Sequence, residues 1–115
     1  MSIFVKAIAA VLMVLLIPMA QAMDGNDLLA GYNSYTRVKS GLAEGRDAYE
    51  GGVFGGYVSG VFDSAVGIMF CAPADIKGGR IQDAVGQFVE AHPESRQRSA
   101  VKLATQALME SFSCK

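Results

Sequence analysis

The 115-residue sequence has one histidine, His92, and two cysteines, Cys71 and Cys114. One histidine cannot make a metal site by itself, and no cluster of ligand-type residues surrounds it in sequence. It sits beside Pro93 between two helical patterns, where its expected role is structural. Two cysteines in a chain that reads as exported are expected to pair, which leaves no thiol nucleophile. Ser59, Ser64, Ser95 and Ser99 lie in no nucleophile signature. Positive charge is also scarce, with ten basic residues facing eleven acidic ones. Lys6 belongs to the leader, so the rest carries about −2, which is no footprint for nucleic acid. The carboxylates are scattered. Asp63 could act as a general acid, but a carboxylate in an apolar run is more often satisfied structurally. These absences point away from an enzyme and toward a binding or inhibitory domain with no cofactor and no metal.

The chain opens MSIFVKAIAAVLMVLLIPMAQAMDG. Lys6 supplies a short positive region, Ala7 to Ile17 is unbroken apolar sequence, and Pro18 ends it. Ala20 and Ala22 put small residues where a signal peptidase reads. The apolar run is too short to cross about 30 Å of hydrocarbon. Residues 1–22 are therefore expected to be a signal peptide cleaved after Ala22, with no stable membrane span afterwards. Residues 23–115 suffice for one small domain. A disulfide closing a loop of the Cys71–Cys114 size contributes about 4 kcal/mol in the chain-entropy account.

Helical patterns fill the rest. Asn26 or Asp24 reads as the N-cap of a helix from Asp27 to about Val38, with Leu28, Leu29 and Tyr32 on one side. KSGLAEGRD (39–47) reads as a loop. In GGVFGGYVSGVFDSAVGIMFC (51–71), Tyr57, Val58, Val61, Phe62, Ala65, Ile68 and Met69 fall on one helical face. Gly52, Gly56 and Gly60 share another. Each interior glycine costs up to about 1 kcal/mol relative to alanine. Their number implies a backbone that another helix approaches, within the subunit or across a dimer. Gly56→Leu would then overpack a seam. The stretch is no phosphate loop, since no Walker lysine follows and no strand precedes it. As a membrane span it would bury Asp63 near its centre.

APADIKGGR (72–80) is a connection with Asp75 as a possible N-cap. Ile81, Ala84, Val85, Phe88 and Val89 form the next stripe, up to Ala91. Pro93 suits the first turn of a further helix. From Glu94 that stripe continues as Ala100, Leu103, Ala104, Ala107, Leu108 and Phe112. The expected fold is all-α, a compact small helical bundle stapled by one disulfide.

GYVSGVFD (56–63), FCAP (70–73), AHPESR (91–96) and ATQALMESFSC (104–114) carry a resemblance. With GNDLL (25–29), these motifs resemble the Rap/Tai immunity protein family in order, over nearly all of residues 23–115. The residues that match are Gly56, Tyr57, Gly60, Asp63, Pro73, His92, Pro93, Glu94 and Arg96. The resemblance implies an exported, all-helical periplasmic protein that binds a type VI secretion amidase and blocks its cleft. Such amidases cleave peptidoglycan peptides, and the family commonly acts as homodimers. Cys71 and Cys114 match the family's C-terminal pair. Two further cysteines that members often carry are absent here, where the chain reads LLAGYNSY and VFGGY, so the first helix is held without that bridge.

An inhibitor of this kind needs a protruding polar loop on a rigid platform. Glu44, Arg46 and Asp47 in one loop, and Asp75, Lys77 and Arg80 in another, are the partner-binding candidates. The alternatives are a small periplasmic stress chaperone, which would expose apolar surface when acid or oxidation loosens a dimer, or an orphan binding protein of the same fold.

Overall fold

Asp24 begins the packed part of the chain by capping a helix. Its side chain accepts the Asp27 N–H at 3.0 Å, and the Asp27 carboxylate accepts the Asp24 N–H at 3.0 Å. This reciprocal box satisfies two donors that a helix start otherwise leaves open. Of the two cap residues the sequence offers, Asp24 is the one used. The computed structural model describes residues 2–15 and 22–115. Among the described residues it is all helical: α1 (Ser2–Leu15), α2 (Gly25–Lys39), α3 (Asp47–Ala65), α4 (Gly78–Ala91) and α5 (Ala100–Ser111), with a 3-10 turn at Pro93–Ser95.

The helix α1 lies within the segment expected to be a leader and is exposed from Ser2 to Met13. No described helix is long and apolar enough to cross a membrane. Pro18, Ala20 and Gln21, on which the expected cleavage rests, lie outside the described residues.

The other four helices share one core. α2 and α3 pair antiparallel: Arg37 meets Asp47 near the connecting loop, Tyr35 meets Gly51, and Gly31 meets Phe54 further along. The pairing is close because two positions lack a side chain. A Cβ at Gly31 would lie 2.7 Å from the Phe54 Cβ, and one at Gly51 would lie 3.0 Å from the Tyr35 Cα. Phe54 then reaches the rings of Tyr32 and Tyr35, at 5.7 and 5.8 Å between centroids. Leu28, Phe54, Val58, Val85, Val89, Leu103 and Leu108 are fully buried. Each such side chain contributes about 1.5–3 kcal/mol relative to exposure. The stripes of α4 and α5 read from sequence are the ones that face this core, including Ile81, Phe88, Ala100, Ala104 and Ala107.

Three boundaries differ from the sequence reading. α3 starts at Asp47 and stops at Ala65, before Met69. Gly67 has φ +80°, a left-handed turn in which its N–H donates to the Phe70 carbonyl at 2.7 Å. The turn drives Phe70 fully into the core and leaves Ile68 81% and Met69 50% exposed, so these two leave the expected buried face. α4 is capped at Lys77, not Asp75, and begins at Gly78. The segment after Pro93 makes only one 3-10 turn before α5 starts at Ala100. That irregular segment has a use: Gly25 and Asn26 N–H donate to the Arg98 and Arg96 carbonyls at 3.1 Å each, and Ala100 N–H donates to the Met23 carbonyl at 2.9 Å. The first residues of the bundle are thereby stitched to the start of its last helix.

Cys71 and Cys114 are bonded, with Cα atoms 4.8 Å apart, and the Cys71 N–H donates to the Phe112 carbonyl at 2.7 Å. The link clamps the ends of the Gly67 turn and α5 together beside buried Phe70 and Phe112.

The glycine face needs correcting. No atom of a neighbouring element lies within 4 Å of a Cβ built at Gly52, Gly56 or Gly60. These three line the exposed side of α3 and form no seam within the subunit. The close approaches are made instead by Gly31, Gly51 and Gly86, by Gly25 against the Arg96 backbone and by Gly55 against the Gln82 side chain. An alanine at Gly56 therefore gains helix propensity and meets nothing, and Gly56→Ala should raise stability by up to about 1 kcal/mol. A Cβ at Gly86 would run into the Tyr32 ring, so Gly86→Ala should cost about 1–3 kcal/mol by overpacking. Urea titration of both variants checks the opposite signs.

Candidate functional site

The two candidate loops follow α2 and precede α4. The first, between Lys39 and Asp47, is anchored at its base. Asp47 opens α3 and is buried. Its carboxylate accepts Arg37 Nε at 2.8 Å, Arg37 Nη2 at 2.7 Å, Ser34 Oγ at 3.0 Å and the Glu44 N–H at 2.9 Å. The guanidinium fork and the carboxylate match bidentately, which gives direction as well as attraction. Arg37 Nη2 also donates to the buried Ser34 Oγ at 3.2 Å. The Arg37 bonds, aided by the Glu44 N–H and Ser34, hold the Asp47 carboxyl far below its ordinary range. Asp47 is thus committed to the α2–α3 joint and is not free to meet a partner.

The rest of this loop projects. Leu42 N–H donates to the Arg37 carbonyl at 2.8 Å and Ser40 N–H to the Thr36 carbonyl at 3.0 Å, fixing the way out of α2. Beyond them Leu42 is 68% exposed, and Glu44 and Arg46 are exposed beside it. Arg46 pairs with Glu50 at 3.2 Å and lies over the Tyr49 ring at 4.9 Å. Tyr49 itself is 63% exposed. Leu42 and Tyr49 were missed from sequence. An apolar residue inside a charged loop and an aromatic in the first turn of the next helix were the available signals.

The second loop forms one wall of a groove of about 480 Å³. Asp75, Lys77 and Arg80 line it together with Pro73, Lys39 and Asp83. Lys39 Nζ reaches Asp83 at 3.3 Å and lies 5.6 Å from the centre of the Tyr35 ring. The bond to Asp83 and the neighbouring Tyr35 raise the Lys39 pKa above its ordinary value. Arg80 is directed toward the Phe112 ring, at 5.8 Å from its centroid. The structure therefore brings the second loop to the end of α2 through Lys39, a residue the sequence reading left out. Glu44 and Arg46 do not line this groove.

The motif residues have visible local roles. His92 Nδ1 donates to the Phe88 carbonyl at 2.7 Å, and its ring stacks on Phe88 at 4.1 Å. Arg96 Nε and Nη2 donate to the Val89 and Glu90 carbonyls at 3.1 and 2.8 Å. A cation on the last carbonyls of α4 suits the negative end of the helix. Pro93 opens the 3-10 turn between them, and Glu94 is exposed there. Tyr57 is half-buried against the core, and burial raises its phenol pKa. Pro73 accepts the Ile76 N–H at 3.1 Å, while Gly56, Gly60 and Asp63 are exposed along α3.

A depressed carboxyl fixes the sign of a pH effect. The stability from Asp47 is fully present above its unfolded value near 3.8 and is lost as pH falls through the lower folded value. Asp47→Asn should lower the melting temperature at neutral pH and flatten its decline below about pH 4. Thermal melts followed by circular dichroism from neutral to strongly acidic buffer check both effects.

Residues 24–114 match the family model of the Rap1a immunity proteins. No curated protein sequence matches the chain.

Proposed function

The chain belongs to the Rap1a immunity protein family, and we propose that it protects its cell by binding and inhibiting a type VI secretion amidase that cleaves peptidoglycan. It does so in the periplasm, as a homodimer, after a signal peptidase removes residues 1–22. The disulfide supports an oxidising compartment, and the apolar α1, exposed and apart from the shared core, suits a leader.

One observation carries the inhibitory reading. The 40–46 loop presents exposed Leu42, Glu44 and Arg46, with Tyr49 behind them, on a base fixed by the Arg37–Asp47–Ser34 bonds. Aromatic and arginine anchors dominate binding energy at protein interfaces. A base that does not reorganise saves ordering entropy on docking. Asp75, Lys77 and Arg80 form a second contact on the far side of Lys39. The stress-chaperone alternative requires acid or oxidation to loosen a dimer. The projecting loop on its fixed base favours the inhibitory reading over it.

The test uses the full chain, expressed with its own leader and recovered with the disulfide formed. It is incubated with proteins secreted by type VI-active cells of the same strain. The expected result is one retained amidase, identified by mass spectrometry and inhibited at one subunit per enzyme. Leu42→Asp and Arg46→Glu should each weaken inhibition by about tenfold or more, as hot-spot losses do, at an unchanged melting temperature. Retention of many unfolded clients, or of nothing, would overturn the reading. Full inhibition by both variants would remove the loop from it.

A further inference from the structure

α5 carries an exposed side with a symmetry of its own. Val101, Thr105 and Met109 follow one another at four-residue steps, and so do Lys102, Gln106 and Glu110. These two rows, with Met69 from the Gly67 turn, line an open apolar groove of about 500 Å³. Val101 is 49% and Met109 43% exposed, although the opposite side of the same helix is the most deeply buried part of the core. Gln106 ties the outer row together, accepting from Arg98 at 3.4 Å and donating to Glu110 at 3.3 Å.

The geometry points to this side of α5 as the contact between two copies of the chain, crossing antiparallel about a two-fold axis that passes midway between Thr105 and Gln106. This rests on the homodimer of the proposed function and names its surface. The argument is self-complementarity. Lys102 and Glu110 stand four residues to either side of Gln106, with opposite charge. An axis midway between Thr105 and Gln106 returns each row onto itself reversed, with a stagger of about 1.5 Å, so Lys102 of one copy lies beside Glu110 of the other, twice. The other row is staggered by the same amount in the opposite sense, so Val101 lies beside Met109, also twice, and the smaller Thr105 beside its own mate, where the helices come nearest. An isologous interface requires such a pattern, since each residue meets its symmetry mate's partner. Lys102 and Glu110 lie about 12 Å apart along the axis, at 1.5 Å per residue, too far to neutralise each other within one copy. The glycine side of α3 also lacks a cover, but its row of small residues has no opposed charges to choose a partner.

Sedimentation velocity of the full chain, expressed with its own leader and with the disulfide formed, tests the contact. Wild type should sediment as a dimer. Lys102→Glu and Glu110→Lys should each weaken dimerisation by about tenfold, because each replaces two attractions with two like-charge contacts. The double variant Lys102→Glu/Glu110→Lys restores both pairs in swapped order and should recover most of the loss. A merely structural role for either residue would not show that recovery. Thr105→Arg should abolish the dimer, and melting temperatures confirm that each variant folds. A dimer unaffected by all four variants overturns the α5 contact and leaves the homodimer standing. A wild-type monomer overturns both. Loss of amidase inhibition with the dimer intact would assign this side to the target and likewise overturn the proposal. Amidase inhibition by wild type, measured separately, decides the immunity reading itself.

Discussion

The close antiparallel contact of α2 with α3 is the constraint on which the other helices depend. Two missing side chains, at Gly31 and Gly51, let the backbones approach until Phe54 lies among Tyr32 and Tyr35. The Arg37–Asp47 pair closes the loop end of the same contact. α4 then lies over the pair with Gly86 against the Tyr32 ring, and α5 completes the core through Leu103 and Leu108. A shift between α2 and α3 would move Tyr32 and Phe54 together, and with them the bed on which α4 rests. Close packing transmits such a shift because few voids exist to absorb it.

Family members often brace the first helix with a second disulfide that this chain lacks. Here α2 is held at both ends without it. The Asp24–Asp27 box and the backbone bonds to Arg96, Arg98 and Ala100 hold its start. The Asp47 carboxylate, with four donors around it, holds its end. A charged group this well bonded is strongly direction-setting, and removing one partner leaves an expensive remainder. The 40–46 loop therefore emerges from a joint in which four donors meet one buried carboxylate.

Local pattern made much of the fold legible. The apolar stripes of α4 and α5 are visible at three- and four-residue spacing, and the structure buries the same residues. The disulfide was legible from two cysteines in a chain whose start reads as a leader. The loops were legible from glycine, proline and charge. The candidate site was legible only in part. Leu42 and Tyr49 carry no motif, and Lys39 joins the second loop through Asp83, 44 residues away, a distance that no local pattern spans. Asp47 looks in sequence like any loop acid. Its burial depends on Arg37 and Ser34 reaching it from the previous helix.

The glycines separate the two sources of information most clearly. By itself the sequence determined an all-helical domain with a C-terminal staple, and its ordered motifs resembled the Rap/Tai immunity family. Periodicity, caps and cysteine count are local or nearly local properties, and each acts before any helix meets another. Which glycine faces a neighbour was decided only in the tertiary structure. Gly52, Gly56 and Gly60 repeat every fourth residue yet lie open, while Gly51 and Gly55 repeat at the same spacing on the same helix and are closely approached, as are the isolated Gly25, Gly31 and Gly86. A glycine has no side chain to mark its direction, so its role depends on what the rest of the fold brings beside it.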